Sequence, residues 1–445
     1  MRRRLLVVSA IAAVVGLAVG AVAGAGPLSK SSTSVLPSSS CGPVFYKGSG
    51  SPQFLIATDL PLSSSQRAQT VAMQQAVQFV LEKQYNFKAG NYTIGYQACD
   101  DATAQTGAWD PAKCSSNARA YAAERKLIGL LGTFNSGCSK LIVPILNRAP
   151  GGAVGMVSSA NTNVGLTHAA PWNSPGEPKI YYPTGVRNYT RVAASDDYQG
   201  PAGVSLLQSK AFKLAQGKKF KAVQSVFILH DNQTFGKGVA QGFQARAKAK
   251  GLKVLGFVPW DAKATSYEAI GEQIKSSGAQ SVYLGGIVCN NGVKLLKDLR
   301  AVLGPDVVFV GPDGWTPYSA TLAAGSAAQN MYISYAGQPL EKLPPAGRKF
   351  IAQFRAYSKI KGNMPPYAVY QAQAAQVMLE AIARSDGTRP SVVKELFKTN
   401  VKNGIMGTFR FDKNGDIVPF KWISFDQMRG KNGVPVFAVV EKVGK

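Results

Sequence analysis

The chain is poor in the residues that most chemistry requires. Its 445 residues include only two histidines, His168 and His230, far apart and in no His-Glu-x-x-His or Cys-x-x-Cys pattern, which argues against a transition-metal site. It has no Gly-x-Ser-x-Gly elbow, no Gly-x-Gly-x-x-Gly after a strand and no phosphate loop. Hydrolase and nucleotide chemistry therefore have no motif to stand on, no enzyme activity is expected, and no cofactor or metal is implied. Acids are scarce as well, 24 against 50 Lys and Arg, for a formal net charge of +26. The excess is dispersed through segments such as 208–221 and 244–253 without interleaved aromatics, so it points to an anionic surface or an acidic medium and away from nucleic acid. Beyond residue 23 no apolar run is long enough to cross a bilayer.

What is present begins with Arg2 to Arg4, followed by the apolar run Leu5 to Ala23 and small residues. That pattern reads as a secretory signal over 1–23, with a retained membrane anchor as the alternative. The chain is thus expected to be exported, to a periplasm or the outer face of the cytoplasmic membrane. Residues 24–52 are rich in Ser, Gly and Pro and read as a tether. Cys41 lies in that stretch, too far past the apolar core to be more than a weak candidate for lipidation. Export permits disulfides, and bonding is expected among Cys99, Cys114 and Cys138, with the partners left open. Because Cys41 and Cys289 bring the total to five, at least one cysteine is left over.

Strand and helix signals then alternate. Strands are expected at 54–57, 92–99, 127–131 and 153–157, with helices at 66–83, 111–125 and 139–147 between them. The plan repeats with strands at 223–229, 253–257, 281–284 and 307–311, and helices after 235 and near 266–277 and 291–302. Alternation of this kind predicts an α/β protein with two doubly wound parallel-sheet units. Helices at 344–360 and 367–384 follow, then a hairpin around Asp412-Lys413-Asn414-Gly415-Asp416. That turn resembles half a calcium loop but carries Ile423 where a bidentate Glu is required, so it reads as a turn. In open parallel sheets, ligands sit at the carboxyl ends of strands. The loops there, Gly132 to Ser139 and Ser158 to Asn163, are full of hydroxyls and amides that could grip a carboxylate at helix N-termini, or merely cap those helices.

These pieces resemble, in order, the type I periplasmic binding proteins, in particular the leucine/isoleucine/valine-binding branch that serves ABC transporters. The resemblance runs from about Phe54 to Phe425 and rests on nine short segments. They include Cys99-Asp100-Asp101-Ala102, the two loops above, Asp197-Tyr198-Gln199-Gly200-Pro201, His230-Asp231, Phe235 to Gly238 and Gly311-Pro312-Asp313-Gly314. It implies two lobes joined by a three-crossing hinge near 192, 336 and 406. The first lobe would then hold 53–191 plus 337–405, and the second 192–336 plus 406–445. It also implies that Ser136 and Thr162 hold a ligand carboxylate, that Ala160 contributes main chain, that Phe235 closes from the second lobe, and that Asp313 receives an ammonium. Asn135, Asn161, Ile287 and Trp315 complete the candidate set. Departures are visible: Asp313 is shorter than the branch's Glu, Ile287 replaces a tyrosine, Trp315 adds bulk, and Asn135 replaces a cysteine. Asp231, His230 and the pair Tyr181-Tyr182 read as structural. The implied partners are an amino-acid solute and a transporter permease, with membrane association through the tether or the permease. An amide, urea or aromatic acid as solute, or a ligand-sensing ectodomain, are the competing readings.

Overall fold

The computed structural model describes residues 35–217, 222–420 and 422–439. The signal expected over 1–23 lies outside them. Two sheets, each flanked by helices, form two lobes. In the first sheet the strand order is Lys88–Ala89, Tyr92–Asp100, Phe54–Leu60, Leu127–Gly132, Gly155–Ser158, Tyr189–Arg191, parallel except at the short first strand. In the second, Lys253–Pro259, Ser225–His230, Ser281–Gly285, Val308–Gly311 and Tyr332–Tyr335 run parallel. Ile423–Arg429 and Asn432–Val439 continue that sheet antiparallel.

The local reasons are simple. Leu127–Gly132 and Ser225–His230 are buried at every position, as strands covered by helices on both faces must be. The helix Pro111–Ala123 starts where Asp110 accepts from the Lys113 N–H at 2.9 Å and proline occupies its first turn. Within the basic stretches, helices cover Lys210–Gln216 and Thr234–Ala249, and Lys253 opens a strand. The helix Asp196–Gln208 was hidden because Gly200, Pro201 and Gly203 read as breakers. Gly200 is there for close packing, since a Cβ would come within 2.6 Å of the Phe243 backbone nitrogen on the neighbouring helix.

Core residues trace the crossings. Val192 belongs to the first lobe's core and Ala193 to the second's; the chain returns between Ala336 and Leu343. The third crossing is a correction. Phe409, Phe411 and Ile417 pack in the first core and Ile423 in the second, so the hairpin expected in the second lobe from 406 onward stays with the first. The crossings are braced by charge. Arg191, fully buried, donates from Nε to Asp416 Oδ1 at 2.6 Å and also reaches the carbonyl of Asn163 at 2.8 Å. His168 stands between Asp416 and Asp197 at 2.9 and 3.0 Å. The 412–416 segment is a turn, with Asp412 Oδ1 accepting from the N–H groups of Asn414 and Asp416.

The cysteines settle the pairing that the sequence left open. Cys41 is bonded to Cys99, and Cys114 to Cys138, which leaves Cys289 as the free thiol among the described residues. Cys41 therefore has no thiol to lipidate. The described end of the stretch expected as a tether is no tether either: Leu36 is buried, and Cys41 and Phe45 bridge to Cys99 and Tyr96.

Candidate functional site

The carboxyl ends of the central strands of both sheets face each other across a cleft of about 440 Å³ of atom-free space, mouth included. From the first lobe, Asn135 and Ser136 line it where the buried strand Leu127–Gly132 hands over to the helix Ser136–Asn147, and Ala160 follows the next strand. From the second lobe come Phe235, at the start of its helix, Ile287, after the strand Ser281–Gly285, and Asp313, after the strand Val308–Gly311. Six of the nine sequence-designated residues thus meet in one place.

The other three do not line the cleft. Asn161 is fully buried behind it, accepting from Ser139 Oγ at 2.6 Å and donating to the Phe134 carbonyl at 3.0 Å. Trp315 lies in the second lobe's core, its indole N–H on the Leu284 carbonyl at 2.8 Å. Thr162 is fully buried, its carbonyl accepting from the Asp196 N–H at 2.8 Å.

On the first-lobe wall, Ser136 Oγ accepts from the Asn163 N–H at 3.4 Å, which links the two polar loops. Asn135 Oδ1 is buried and has no hydrogen-bond partner. On the second-lobe wall, the Asp313 N–H donates to Gln199 Oε1 at 2.9 Å, while Asp313 Oδ1 is buried and unpartnered. Its other oxygen accepts from the hydroxyl of Tyr367, at the first turn of the helix Pro366–Arg384 in the first lobe. Burial pushes the Asp313 carboxyl up to about 6, against the opposing pull of Tyr367 and Gln199. This acid thus already holds one neutral donor from across the cleft. A second interlobe bond runs from Asn163 Nδ2 to the Thr234 carbonyl at 3.1 Å.

Residues absent from the sequence-based set also line the cleft. Phe134, Gly137 and Gly314 lie within quoted motifs and Gln233 and Thr234 between two of them, so all were legible by adjacency. Trp109 and the Asp313 partner Tyr367 belong to no quoted motif. Asp231 lines the cleft yet is internally committed: one oxygen accepts from Gln233 N–H, the other from Ile287 N–H and Asn290 Nδ2, at 2.7–3.1 Å. His230 is buried, with its pKa lowered to about 4 by that burial and by Lys237, and Tyr181 and Tyr182 donate to Glu177 and to the Leu166 carbonyl.

A family model described as periplasmic binding protein matches residues 55–418, and the chain belongs to that family. Among curated proteins, it is 25% identical over 236 residues to a leucine-, isoleucine-, valine-, threonine- and alanine-binding protein of Pseudomonas aeruginosa, covering 53% of this chain and 59% of that one. It is 23% identical over 327 residues to an amino acid binding protein of the same organism, covering 72% of this chain and 76% of that one. It thus spans well under two thirds of the first relative's length. Among solved structures, the leucine binding protein LivK of Thermotoga maritima superposes with a TM-score of 0.72 at 19% identity, covering 87% of this chain and 99% of the other. A Rhodopseudomonas palustris solute binding protein in complex with benzoate superposes at 0.68 and 18%, covering 88% and 98%. Both likenesses show the two-lobed fold.

Proposed function

We propose that the chain is an exported receptor that binds a small amino acid between its lobes and presents the closed form to an ABC transporter. The observation that carries this reading is a pair of buried polar atoms without partners, one on each wall: Asn135 Oδ1 and Asp313 Oδ1. Buried polar groups are nearly always hydrogen-bonded, so two orphans facing one cleft mark where a ligand supplies what the protein lacks. Asp313 asks for a cation, and the start of the helix Ser136–Asn147 favours an anion. A zwitterion spanning both walls would donate from its ammonium to Asp313 Oδ1 and lay its carboxylate at the N–H groups of the helix start, and so stabilise the closed form, while Asn135 Oδ1, an acceptor, calls for a further ligand donor. Named relatives that bind amino acids agree with it. The family match and the basic, apolar segment 2–23 support delivery to a permease and a location outside the cytoplasm. Among the described residues no helix is long and apolar enough to cross a membrane.

An aromatic acid is the second reading, favoured by the benzoate complex of a structural neighbour and by the rings of Trp109, Phe134 and Phe235 in the cleft. It leaves Asp313 without a cation. Calorimetric titration with amino acids, amides and aromatic acids separates the two: at least one α-amino acid binds near one to one without turnover. A screen yielding only uncharged solutes or simple acids rejects the amino-acid reading.

A further inference from the structure

The cleft holds one large side chain that no motif announces. Trp109 comes from the loop between the strand Tyr92–Asp100 and the helix Pro111–Ala123, and lines the wall beside Ser136. Its indole lies directly on Gly137: a Cβ there would sit 2.5 and 2.6 Å from ring carbons Cζ2 and Cη2. Glycine at 137 is thus what lets the ring reach the start of the helix carrying Ser136. The loop is tied down on both sides, with a backbone bridge between Ala102 and Trp109 and the Asp110 N–H on the Asp101 carbonyl at 2.8 Å. Covalent linkage completes the arrangement. Cys114, five residues after Trp109 on the adjoining helix, is bonded to Cys138, the residue after Gly137. The ring and the Ser136 wall therefore belong to one cross-linked unit and cannot drift apart as the lobes move. Opposite stand Ile287 and Phe235, themselves packed on Gly314, where a Cβ would meet them at 2.5 and 2.8 Å.

We infer that Trp109, held over Gly137 beside the Cys114–Cys138 link, sets the size of the solute, favouring an α-amino acid with a small side chain over one as bulky as phenylalanine. This rests on the amino-acid reading above and adds its selectivity. The physical ground is that a rigid ring against a cross-linked wall cannot yield to a bulkier solute, whereas an unbraced side chain would rotate away.

The test is a titration series on the full chain with glycine, L-alanine, L-valine, L-leucine and L-phenylalanine, read as the ratio of dissociation constants for phenylalanine and alanine. In the unaltered protein that ratio is expected to be at least about tenfold, the scale on which pocket walls discriminate added methylenes. Trp109→Ala should lower it by about tenfold while alanine still binds. Trp109→Phe should fall between, and serves as the readout should the alanine variant not fold. The double variant Cys114→Ala/Cys138→Ala, with Trp109 in place, should move the ratio in the same direction by less, which a ring acting only as core filling would not do. An unmoved ratio in Trp109 variants that bind alanine, or equal binding of phenylalanine and alanine by the unaltered protein, overturns the role of Trp109 and leaves the amino-acid reading standing. Failure of every α-amino acid to bind the unaltered protein overturns that reading instead.

Discussion

Asp313 in the cleft and Asp416 at the hinge are both largely buried carboxylates at the boundary between lobes, and the protein treats their charges in opposite ways. Burial works against ionisation of each. At Asp416 the Arg191 guanidinium and His168 outweigh it and hold the carboxyl well below the usual range. At Asp313 only neutral groups, Tyr367 and Gln199, oppose it, so the carboxyl is pushed up to about 6. The hinge acid is saturated by the protein itself, whereas the cleft acid keeps one oxygen without a donor. The proposed receptor role would use both arrangements: a brace that the protein completes by itself and a site whose deficit only a ligand makes good.

The widest separation between the two is expected from removing a charge at each. Arg191→Ala leaves Asp416 without its guanidinium in a buried site and should cost about 3–5 kcal/mol of stability in denaturant unfolding. An unchanged midpoint would mean that the hinge network is ornamental. Asp313→Asn should instead preserve folding and weaken binding of the best amino acid by about 2–5 kcal/mol, the scale for truncating a buried charged pair. Its ligand-free melting temperature at pH 7.5 should equal or exceed that of the unaltered protein. A carboxyl whose pKa is raised by folding opposes the folded state once pH is above that value, and asparagine removes the opposition.

Titration sharpens the contrast without mutation. Both ring nitrogens of His168 face carboxylate oxygens, which favours the cationic ring: its pKa is raised by Asp197 and Asp416 against the effect of burial. Its stabilisation is complete below the ordinary histidine pKa and is lost as pH rises through the raised value. That of Asp416 is complete above the ordinary carboxylate range and is lost only as pH falls through the depressed one. Between about pH 5 and 6.5 the hinge contribution should therefore be flat. In the same window ligand affinity should fall as Asp313 protonates, approaching about tenfold per pH unit below its midpoint. Calorimetry and melting curves across that window would show binding and stability moving separately; a parallel fall in both would tie the cleft to the brace. The smallest effect is expected on the neutral wall, where Ser136→Ala should cost about 1 kcal/mol of binding, because backbone donors at the helix start remain.

The residues needed for this contrast were unequally legible in the sequence. Asp313, Ser136 and Phe235 could be placed because each follows a strand signal in a short motif, and strand ends are where open parallel sheets bind ligands. Asn161, in the second polar loop, and Trp315, just past the Asp313 motif, face away from the cleft for an instructive reason. Neighbours on a turn point different ways, and sequence does not say which side chain turns inward to hold the loop together. Tyr367 and Trp109 carry no local signal, since each acts on a residue far away in the chain or through a loop whose path is set by packing.

The sequence by itself determined the alternation of strands and helices, the two repeated α/β units and the polar loops at their strand ends, because periodicity records how each segment divides its surface between core and solvent. Tertiary structure alone decided that Tyr367 meets Asp313 across the cleft, that Arg191 and His168 meet Asp416, that Cys41 is spent on Cys99, and that the hairpin from Gly407 stays with the first lobe. Those pairings join segments whose own composition is satisfied in many neighbourhoods. Only the packing of both lobes around their separate cores brings them within hydrogen-bonding distance.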